Sequence, residues 1–599
     1  MELKYETLEE ERIVIDKFFI LNVNEVDYKI DFRKINKINK AKQKRLLIAR
    51  DIEFEIKYQR IELEDKIFYL YTKNNKLYLT SNLNTIFRRK SNLKGYISKN
   101  NLYFYGLYSY IKNKFSDCDN VYINGNLHNQ IIRPLNFWKF KHLAVIKISL
   151  EDIKNSGEIH STIGIGDKNG NYLGIKIKKK EKGINYFARR IKGEDYFIIR
   201  SVISSSNIRI VTIPMSPEYK RINIIKNNIA KLIAKIIGKK NIILMFEKES
   251  RKANESGYYI FEKIMKLKNP KSKTYFVIDK NCDDFEKVYS KYPKNTLIKY
   301  TFKHYLYIYL SKYFISSELS NHVINPRLYI KSINREIAKK PLIFLQHGIM
   351  FAKPVDNPAA AGFQKNNSTV NFYKCIISSD LEATQFYKLG FDDEDLIKSG
   401  LTKFDVSKQS KDADKILLMF TYRYWEEALV MNPDTIKSTT YYKIYMKLIK
   451  EFEKNGLLDK LIISCHPKFA DCIINAAPKY EQIVEKDINK GLENAKIFIT
   501  DYSSASYDAH YRGSYIIYYW EEKDYLIENY KAIPPINEEN CDGVNVYDEK
   551  TLIEEVQKAI KNNYVMPKKY QDRYKKINEF DDNKNGERLI KELKKLDII

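Results

Sequence analysis

The chain has few residues of the kinds that specify a disulfide scaffold, a zinc cluster or a membrane span. Its 599 residues include 6 cysteines, and no two of them have the CxxC spacing of a zinc or redox motif. No apolar run approaches the roughly 20 residues that a membrane-spanning helix needs. The N-terminal stretch MELKYETLEEER is acidic, unlike a secretory signal peptide. These absences predict a protein of the reducing cytoplasm whose membrane contact is at most peripheral.

Motifs for bound nucleotides, metals and nucleic acids are also missing. Glycine and proline are scarce, with 21 and 15 residues, and there is no glycine-rich dinucleotide fingerprint, Walker A sequence, HExxH or evident DxD metal clamp. No nucleic-acid-binding module is recognisable either. We therefore expect no cofactor, no obligatory metal and no nucleic-acid partner.

What the chain does have is a large excess of positive charge. The formal net charge is +28, and the basic residues are scattered along the whole sequence. Self-repulsion on this scale disfavours a compact state unless something anionic is usually nearby. A diffuse excess of lysine favours a membrane surface or an anionic polymer as the partner.

The first part of the chain is predicted to be β-rich. Short strand-like segments fill residues 1–115, and KIFYLYTKNNKLYLT indicates a hairpin with Asn74 and Asn75 in its turn. A second group, including LAVIKISL and IRIVTIPM, fills residues 116–215. We expect one or two small β-sandwich-like modules here, and no catalytic residue is recognisable in them.

Residues 216–240 have a different pattern, that of a basic amphipathic helix. Isoleucine and leucine recur at three- and four-residue spacing from Ile222 to Ile237, and lysines fill many of the other positions. Such a helix can lie on an anionic membrane surface. It can equally be a linker that packs its isoleucines on a neighbouring domain, and periodicity does not separate the two.

After Lys240 the pattern becomes alternating α/β, which implies parallel sheets. One series of apolar strands occupies residues 241–405 and a second occupies 406–570, with a charged helical tail at 571–599. The predicted fold class is thus α/β, with two Rossmann-like domains facing a cleft and β-rich modules before them.

The stretch PLIFLQHGIM, residues 341–350, is the centre of the predicted site. The apolar run Leu342 to Leu345 suits a strand buried on both faces, and it stops at Gln346, His347 and Gly348. Open α/β sheets bind ligands at the carboxyl ends of their strands. His347, with an ordinary pKa near 6.5, is a natural general base for an alcohol nucleophile, and Gly348 allows a ligand to approach the backbone.

Two strand ends in the second series follow the same pattern. LIISCHPK places His466 after an apolar run, where it could donate a hydrogen bond to a phosphate, although a lone histidine is more often a satisfied edge residue. KIFITDYSSASYD places Ser503 and Ser504 before a helix, as in an anion site or a simple N-cap. Asp508 follows one turn later and could reach a ribose or a bound alcohol.

Two basic residues are candidates for binding a diphosphate. Arg423 follows the strand KILLMF, and Lys403 lies in GLTKFD. Either could instead be a solvated surface charge.

At these residues the chain resembles the CDP-glycerol glycerophosphotransferase family, the teichoic acid glycerol and ribitol phosphate polymerases. The matching pieces are FLQHG at Phe344–Gly348, ISSD at Ile377–Asp380, Thr-x-Arg at Thr421–Arg423, CHPK at Cys465–Lys468 and TDYSSASYD at Thr500–Asp508. They occur in the family's order and cover about residues 240–560, so they leave out the β-rich start.

The resemblance implies a glycosyltransferase-B-like enzyme, peripheral on the inner face of the cell membrane. It would move glycerol phosphate from CDP-glycerol to a lipid-linked or polymeric polyol-phosphate acceptor, of the teichoic acid or capsular kind, and release CMP. His347 looks like the base and His466 a second catalytic residue. By this likeness the residues that contact CDP-glycerol are His347, Gly348, Ile349, Met350, Phe351, Thr421, Ser464, Cys465, His466, Ser503, Ser504 and Asp508, to which we add the cations Lys403 and Arg423.

Two departures from the family's pattern keep other functions open. The family usually has Pro-Arg where this chain has Thr402 and Lys403, and Pro-Thr-Trp-Arg where it has residues 420–423, Phe-Thr-Tyr-Arg. Lysine keeps the charge but loses the bidentate fork. The alternatives are a CDP-ribitol or other CDP-polyol donor, a nucleotide-sugar glycosyltransferase, and a non-enzymatic protein that binds a membrane surface or polymer.

Overall fold

The computed structural model describes two compact units, Met1–Tyr219 and Lys220–Ile599. In residues 215–599 it describes every residue except 329, 367, 368, 431, 432, 434, 467 and 468, and in residues 1–214 it describes the strands given below with some of their connections. Pro467, expected to fix the chain after His466, lies outside the described residues.

The first unit consists of antiparallel sheets in the residues that the structure describes. Asn74 and Asn75 both have positive φ, 51° and 53°, so the predicted hairpin turn between β6 (Lys66–Thr72) and β7 (Lys76–Thr80) is confirmed. The boundary expected at residue 115 stays a prediction. The sheets are β1-β2-β3, β4-β7-β6-β5, β12-β13-β9-β8 and β11-β10-β14-β18-β17-β16 with β15 on β14, and one short helix, α1 (Leu150–Asn155), follows β13. Their strands are β1 (Leu3–Glu6), β2 (Phe18–Val23), β3 (Val26–Asp31), β4 (Leu46–Arg50), β5 (Gln59–Leu63), β6 (Lys66–Thr72), β7 (Lys76–Thr80), β8 (Arg88–Ser98), β9 (Asn101–Ile111), β10 (Asn120–Ile123), β11 (Asn126–Gln130), β12 (Ile132–Phe137), β13 (Lys141–Ser149), β14 (His160–Gly166), β15 (Tyr172–Gly174), β16 (Asn185–Ile191), β17 (Glu194–Val202) and β18 (Ile208–Pro214).

The second unit contains two parallel sheets, as the alternating pattern predicts. The first has the order β21-β20-β19-β22-β23-β24-β25 and the second the order β27-β26-β28-β29-β30. Strands such as β19, IILMF, are buried along their whole length because helices cover both faces of a parallel sheet. The strands are β19 (Ile242–Phe246), β20 (Lys273–Ile278), β21 (Thr296–Ile298), β22 (Tyr313–Ser316), β23 (Pro341–Phe344), β24 (Asn371–Ile377), β25 (Leu396–Lys398), β26 (Lys415–Leu418), β27 (Leu461–Ile463), β28 (Ala495–Thr500), β29 (Tyr515–Tyr519) and β30 (Val544–Val546).

Each parallel sheet has a point where the strand order reverses. In the first sheet this point lies between β19 and β22, and in the second it lies between β26 and β28. Loops that leave adjacent strands in opposite directions open a crevice there, which is where such sheets bind ligands.

Helices connect and cover these strands. They are α2 (Arg221–Ile237), α3 (Ser256–Met265), α4 (Phe285–Tyr289), α5 (Phe302–Leu310), α6 (Lys331–Lys339), α7 (Asp380–Lys388), α8 (Glu427–Val430), α9 (Thr440–Lys454), α10 (Ala470–Ala476), α11 (Ile488–Asn494), α12 (Ala505–Tyr511), α13 (Lys523–Tyr530), α14 (Glu549–Lys561), α15 (Lys568–Ile577) and α16 (Asn585–Lys595). None of the helices in the described part of the chain combines the length and the hydrophobicity that a membrane-spanning segment requires.

The last helix returns to the first sheet. The carboxylate of Asp405 accepts hydrogen bonds from the amides of Asn585 and Gly586 at the start of α16, at 2.8 and 2.9 Å. Leu589 and Leu593 are buried, and the carbonyl of Ile598 accepts from Ser272 Oγ at 2.6 Å. Residues 585–599, expected only as a charged tail, therefore complete the core of the first half.

Helix α2 packs on α5 through its polar face. Asn223, Asn227 and Ala230 are buried, and Asn227 accepts from Tyr309 Oη at 2.8 Å and donates to Ser332 Oγ at 3.1 Å. The aliphatic side chains on the other side are exposed: Ile222, Ile225, Ile229, Leu232, Ile236 and Ile237. Among the described residues of the second unit, these aliphatic side chains are not part of the buried core.

Candidate active site

The loop that carries His347 leaves β23 through a sharp turn. Gln346 has a positive φ of 59°, a left-handed conformation that is uncommon for a residue with a side chain. Its buried amide nitrogen donates to the carbonyl of Ile376 and, at 3.1 Å, to Glu382 Oε1. These bonds fix the turn that precedes His347.

Glu382, in α7, supports the same loop, and the motif search did not identify it. Its carboxylate accepts from the amides of Met350 and Ser378, both at 2.6 Å. Burial raises the pKa of Glu382 to about 7, although these hydrogen bonds oppose the shift. One feature of the sequence could have identified Glu382: it lies three residues after Ser379, as in a capping box. The Ser379 hydroxyl caps α7 by accepting a hydrogen bond from the Glu382 amide.

Gly348 brings the two halves of the unit into contact. A Cβ atom at this position would lie 3.2 Å from Ser504 Oγ and 3.9 Å from Asp508 Oδ2, both in the second half. The strand end after β23 and the strand end after β28 therefore meet. The sequence predicted that the two halves face a common cleft, but it did not predict which residues come into contact.

Lys403 joins the same two strand ends. Its ammonium donates to the His347 carbonyl oxygen at 2.6 Å and pairs with Asp508 Oδ1 at 2.6 Å and Glu255 Oε2 at 3.6 Å. Burial lowers the pKa of Lys403, but the carboxylates of Asp508 and Glu255 have the larger combined effect, so the pKa of Lys403 is raised. Lys403, expected to bind a diphosphate, is thus engaged with protein carboxylates.

The two carboxylate oxygens of Asp508 have different surroundings. Oδ1 is paired with Lys403, while Oδ2 faces Gly348. Burial raises the pKa of Asp508, with Lys403 acting against the shift. Its second oxygen is the one oriented toward the loop of His347.

A charged cluster at the reversal point of the first sheet surrounds His347, and sequence reasoning missed it. Lys248 follows β19 and donates to Glu255 Oε1 at 2.9 Å. Burial opposes ionisation of Glu255, but Lys403 and Lys248 lower its pKa to about 2. Burial also disfavours the charge of Lys248, and Glu255 outweighs it and raises the pKa of this lysine.

Two further members of the cluster follow β22. Burial lowers the pKa of His322 to about 4, with His347 and Lys299 acting in the same direction. Burial raises the pKa of Glu318 to about 7. His322 Nδ1 accepts from the amide of Glu249 at 3.2 Å, which orients the ring. None of these residues occurs in a recognisable motif, so only the strand order could have pointed to them.

His347 is exposed near the junction of the two halves and yet lies among many protein charges. Desolvation by the surrounding walls lowers its pKa to about 4, and Lys248, Lys403 and Lys353 add to this effect while Glu255 opposes it. The imidazole is therefore neutral at physiological pH. A neutral imidazole can accept a proton from an alcohol.

Lys353 is an exposed cation near the same junction, and the sequence analysis did not single it out. It lies six residues after His347, and it interacts electrostatically with Asp501 of the second half. Its pKa is lowered, first by desolvation, with Asp501 opposing. Its ammonium is thus close to the strand end where a diphosphate was predicted.

The loop after β28 is held by Asp501. Its Oδ1 accepts from the Thr421 amide at 2.8 Å, the Thr421 hydroxyl at 2.6 Å and the Tyr502 amide at 2.6 Å. Thr421, expected to contact CDP-glycerol, is buried and hydrogen-bonded to this carboxylate. The two residues tie together the strand ends on either side of the reversal point in the second sheet.

Ser503 and Ser504 have separate roles. The Ser503 hydroxyl accepts from the Ala505 amide at 3.3 Å, as expected of a capping residue. The Ser504 hydroxyl faces Gly348 across the junction. Of the two, Ser504 is the serine that points to the first half.

His466 lies at the carboxyl end of β27. Its ring stacks on Tyr422, with 4.3 Å between centroids, and its amide donates to Tyr441 Oη at 3.2 Å. The side chain is half-buried. The packing fixes the plane of the ring at the edge of the second sheet.

Several residues predicted to bind the substrate lie inside the protein. Arg423 is fully buried, where its guanidinium pairs with Glu522 and donates to Thr440. Ser464 Oγ donates to the Glu485 carbonyl at 3.0 Å. The others are packed in the core: Ile349, Phe351 and Cys465. The guanidinium of Arg423 is thus engaged with protein groups, as the ammonium of Lys403 is, and its predicted role stays a prediction.

The described residues contain no group of three or more His, Cys, Asp or Glu side chains that could hold a metal ion.

Comparison with known proteins identifies a family for most of the second unit. The family described as CDP-Glycerol:Poly(glycerophosphate) glycerophosphotransferase matches residues 229–595, more than half of the chain. The minor teichoic acid biosynthesis protein GgaB of Bacillus subtilis (strain 168) is 25% identical over 386 residues, which are 60% of this chain and 40% of GgaB. The chain thus spans less than half the length of this curated relative.

Two solved structures are similar at low identity. A variant of the wall teichoic acid polymerase TagF is 16% identical, with 63% of this chain and 94% of that chain covered and a TM-score of 0.43. The S. aureus MnaA structure with UDP is 12% identical, with 60% and 97% covered and a TM-score of 0.35.

Proposed function

Since the chain belongs to the CDP-glycerol:poly(glycerophosphate) glycerophosphotransferase family, we propose that it transfers a polyol phosphate from a CDP-linked polyol to a hydroxyl of a polyol-phosphate chain. The proposed donor is CDP-glycerol, the acceptor a teichoic-acid-like or capsular polymer, and the released product CMP. The kind of reaction comes from the family, and the arrangement of side chains between the two sheets supports the assignment of roles.

In this proposal His347 is the general base. The acceptor oxygen attacks the β-phosphorus of the donor, the bond between that phosphorus and the oxygen of CMP breaks, and the acceptor proton passes to the imidazole. The lowered pKa of His347, about 4, supports this role because the ring is ready to accept a proton at neutral pH. The resulting imidazolium lies beside Glu255, which stabilises it.

The phosphates are proposed to lie between Lys353 and the strand ends of the second half. Lys353 is assigned to the diphosphate in place of Arg423, because Arg423 is buried and paired with Glu522. Ser504 and His466 are assigned as hydrogen-bond donors to the phosphate oxygens, and the free oxygen of Asp508 as an acceptor from a donor hydroxyl. Stabilising charge on the leaving CMP in this way is the usual largest contribution to such a reaction.

The observation that carries the proposal is the contact between Gly348 and Ser504, which brings the base and the phosphate-binding loop together. It is tested with purified His347→Ala and His347→Asn chains and CDP-glycerol, with CMP release as the readout. Both variants should lose at least about 100-fold in rate, because general base catalysis contributes about 10²–10⁴-fold. CDP affinity, measured by calorimetry, should change little. Wild-type turnover in either variant would reject the role of His347.

The nature of the donor is a separate question. Lys403 stands where the family usually has arginine, and it is engaged with Asp508, so the donor site differs from the family's pattern at this position. CDP-ribitol and UDP-sugars are the competing donors. A panel of donors, with CMP or UDP release measured for each, distinguishes a glycerol phosphotransferase from a ribitol phosphotransferase and from a glycosyltransferase. Release of no nucleotide from any donor would favour a non-enzymatic binding protein.

We also propose that the reaction takes place at the inner face of the cell membrane, on a lipid-linked or polymeric acceptor. The net charge of +28 and the exposed aliphatic face of α2 support a peripheral contact with an anionic surface.

A further inference from the structure

The strand ends of β19, β22 and β23 lie side by side at one edge of the first sheet. Ser316 Oγ, at the end of β22, donates to the carbonyl of Phe246, at the end of β19, at 2.6 Å. The amide of Leu345, just after β23, donates to the Ser316 carbonyl at 2.8 Å. The loops that follow β19 and β22 therefore start next to the loop of His347, at the reversal point where such sheets bind ligands.

The loop after β19 has an unusual backbone conformation. Lys248, Glu249 and Ser250 have positive φ values of 28°, 62° and 55° in succession, although none of them is glycine. Left-handed backbone is unfavourable for residues with a side chain and is concentrated at binding and active sites. The loop after β22 supports this turn, because Ser250 Oγ donates to the His322 carbonyl at 3.2 Å and the Glu249 amide donates to His322 Nδ1 at 3.2 Å.

These contacts decide which ring nitrogen of His322 carries the hydrogen. Nδ1 accepts from the Glu249 amide, and the lowered pKa keeps the ring neutral, so the hydrogen is on Nε2. Nε2 lies 3.9 Å from Oε2 of Glu318, which is too long for a hydrogen bond. A donor nitrogen and an acceptor oxygen are thus neighbours without being bonded to each other.

The carboxylate of Glu318 can accept a hydrogen bond from a ligand. No hydrogen bond reaches it from the part of the chain that the structure describes, and the side chains of Glu318 and His322 are 15% and 21% exposed. An oxygen atom about 2.8 Å from both Nε2 and Oε2 would bond to each of them at once. A hydroxyl group suits this position, because it can accept from Nε2–H and donate to the carboxylate.

The Glu318–His322 pair lies close to the proposed base. His347 contributes to the lowered pKa of His322, so the two imidazoles interact electrostatically. A series of contacts also joins them. Lys403 donates to the His347 carbonyl oxygen at 2.6 Å and lies 3.6 Å from Glu255. Glu255 accepts from Lys248 at 2.9 Å, and Lys248 begins the left-handed turn that His322 supports.

We propose that Glu318 and His322 bind the acceptor hydroxyl next to the one that His347 deprotonates, so that the enzyme recognises an acceptor ending in a vicinal diol. A purely structural pair is a poorer match, because the two side chains are partly exposed and not hydrogen-bonded to each other. Glycerol and ribitol chain ends both carry such a diol, so the pair suits either polyol. This role rests on the proposed function, but binding of the acceptor does not require turnover.

The test compares two soluble acceptors that differ in one hydroxyl. Both are short glycerol phosphate oligomers, one ending in glycerol and the other in 1,3-propanediol, which lacks the hydroxyl next to the terminal one. Calorimetry on the full chain should show at least tenfold weaker binding of the propanediol-ended oligomer, because a hydrogen bond to a charged group is lost. The acceptor KM for CMP release should differ by the same ratio. Equal affinity of the wild type for the two oligomers would overturn the proposal.

Two variants test whether the Glu318–His322 pair causes this difference. Glu318→Met removes the carboxylate and keeps the length of the side chain. His322→Asn removes Nε2–H and keeps an acceptor for the Glu249 amide. Each variant should bind the glycerol-ended oligomer about tenfold more weakly and the propanediol-ended one as the wild type does. A structural role alone would weaken both oligomers equally, and that result would reject the assignment to this pair.

Glu336→Gln is the matched control. Glu336 lies in α6, which leads into the amino end of β23, and its side chain is 23% exposed and pairs with Lys239. This variant should keep the wild-type preference for the glycerol-ended oligomer, and loss of the preference would show that it is not specific to the Glu318–His322 pair. Failure of the proposed function gives a different result, in which neither oligomer supports CMP release while the glycerol-ended one still binds more tightly.

Discussion

Lys403 and Asp508 form a buried ion pair between the two parallel-sheet halves, with 2.6 Å between Nζ and Oδ1 and side chains only 8% and 5% exposed. The same ammonium donates to the carbonyl of His347. One cation thus fixes both the contact between the halves and the backbone of the proposed base.

Breaking this pair on one side should destabilise the unit. Lys403→Met leaves the buried Asp508 carboxylate without its partner and should lower the free energy of unfolding by about 3–5 kcal/mol. Asp508→Asn should cost less, because Glu255 still pairs with Lys403. The double variant should be less destabilised than the sum of the two, because it leaves no lone charge at this pair. Urea denaturation followed by tryptophan fluorescence measures all three. Strictly additive losses would show that the two side chains do not interact in solution.

The close approach of Gly348 to Ser504 can be tested by adding a methyl group. In Gly348→Ala the new Cβ would lie 3.2 Å from Ser504 Oγ, so one of the two loops must move. We expect kcat/KM for CMP release to fall at least tenfold. Ser504→Ala removes the nearest atom, and the Gly348→Ala/Ser504→Ala chain should therefore be about as active as Ser504→Ala alone. A further loss in the double variant would mean that the contact does not limit the site.

The pH dependence of activity should show the depressed pKa of His347. Because this pKa is lowered to about 4, the imidazole stays neutral as pH falls through 6.5 and becomes protonated only near pH 4. The acid limb of kcat/KM should therefore lie well below pH 6.5. Lys248→Met removes a cation that disfavours protonation, and it should move this limb to higher pH. An acid limb at pH 6.5 in the wild type, unmoved by Lys248→Met, would contradict this electrostatic environment.

Loss of Arg423 should affect the stability of the protein, whereas loss of Lys353 should affect the KM for the donor. Arg423→Met leaves the Glu522 carboxylate, whose side chain is 24% exposed, without its partner, and we expect a loss of about 1–3 kcal/mol in unfolding free energy. Lys353→Met should leave thermal stability nearly unchanged and raise the KM for the donor about tenfold, the effect of losing one interaction of about 1.4 kcal/mol. Thermal unfolding and initial rates on both variants make the comparison. A raised KM for the donor in Arg423→Met, together with a loss of stability in Lys353→Met, would instead assign the diphosphate to Arg423.

Much of the second unit could be predicted from its sequence. Apolar runs that end in His347, His466 and Asp501 predicted parallel strands with functional side chains at their carboxyl ends, and the two parallel sheets confirm the strands. Family membership, suggested by the motifs around these strand ends, is likewise confirmed.

The pairing of charges could not be predicted, because it depends on contacts between distant residues. Glu255, Lys403 and Asp508 lie on three separate elements, and nothing in their local sequence shows that they meet. Arg423 was expected in the cleft because it follows a strand, but a residue after a strand can also turn inward. For α2, the periodicity predicted two faces and could not show that the polar one is buried.

The return of α16 to the first sheet has a consequence for synthesis on the ribosome. The amides of Asn585 and Gly586 occupy Asp405, and residues up to Ile598 cover the first half. Asp405 and Asn585 are 180 residues apart in the sequence. During synthesis, the first parallel-sheet half therefore cannot complete its packing until about 180 further residues have left the exit tunnel. The exposed surface would have to be protected during that delay, which makes this protein a candidate client of chaperones that bind growing chains.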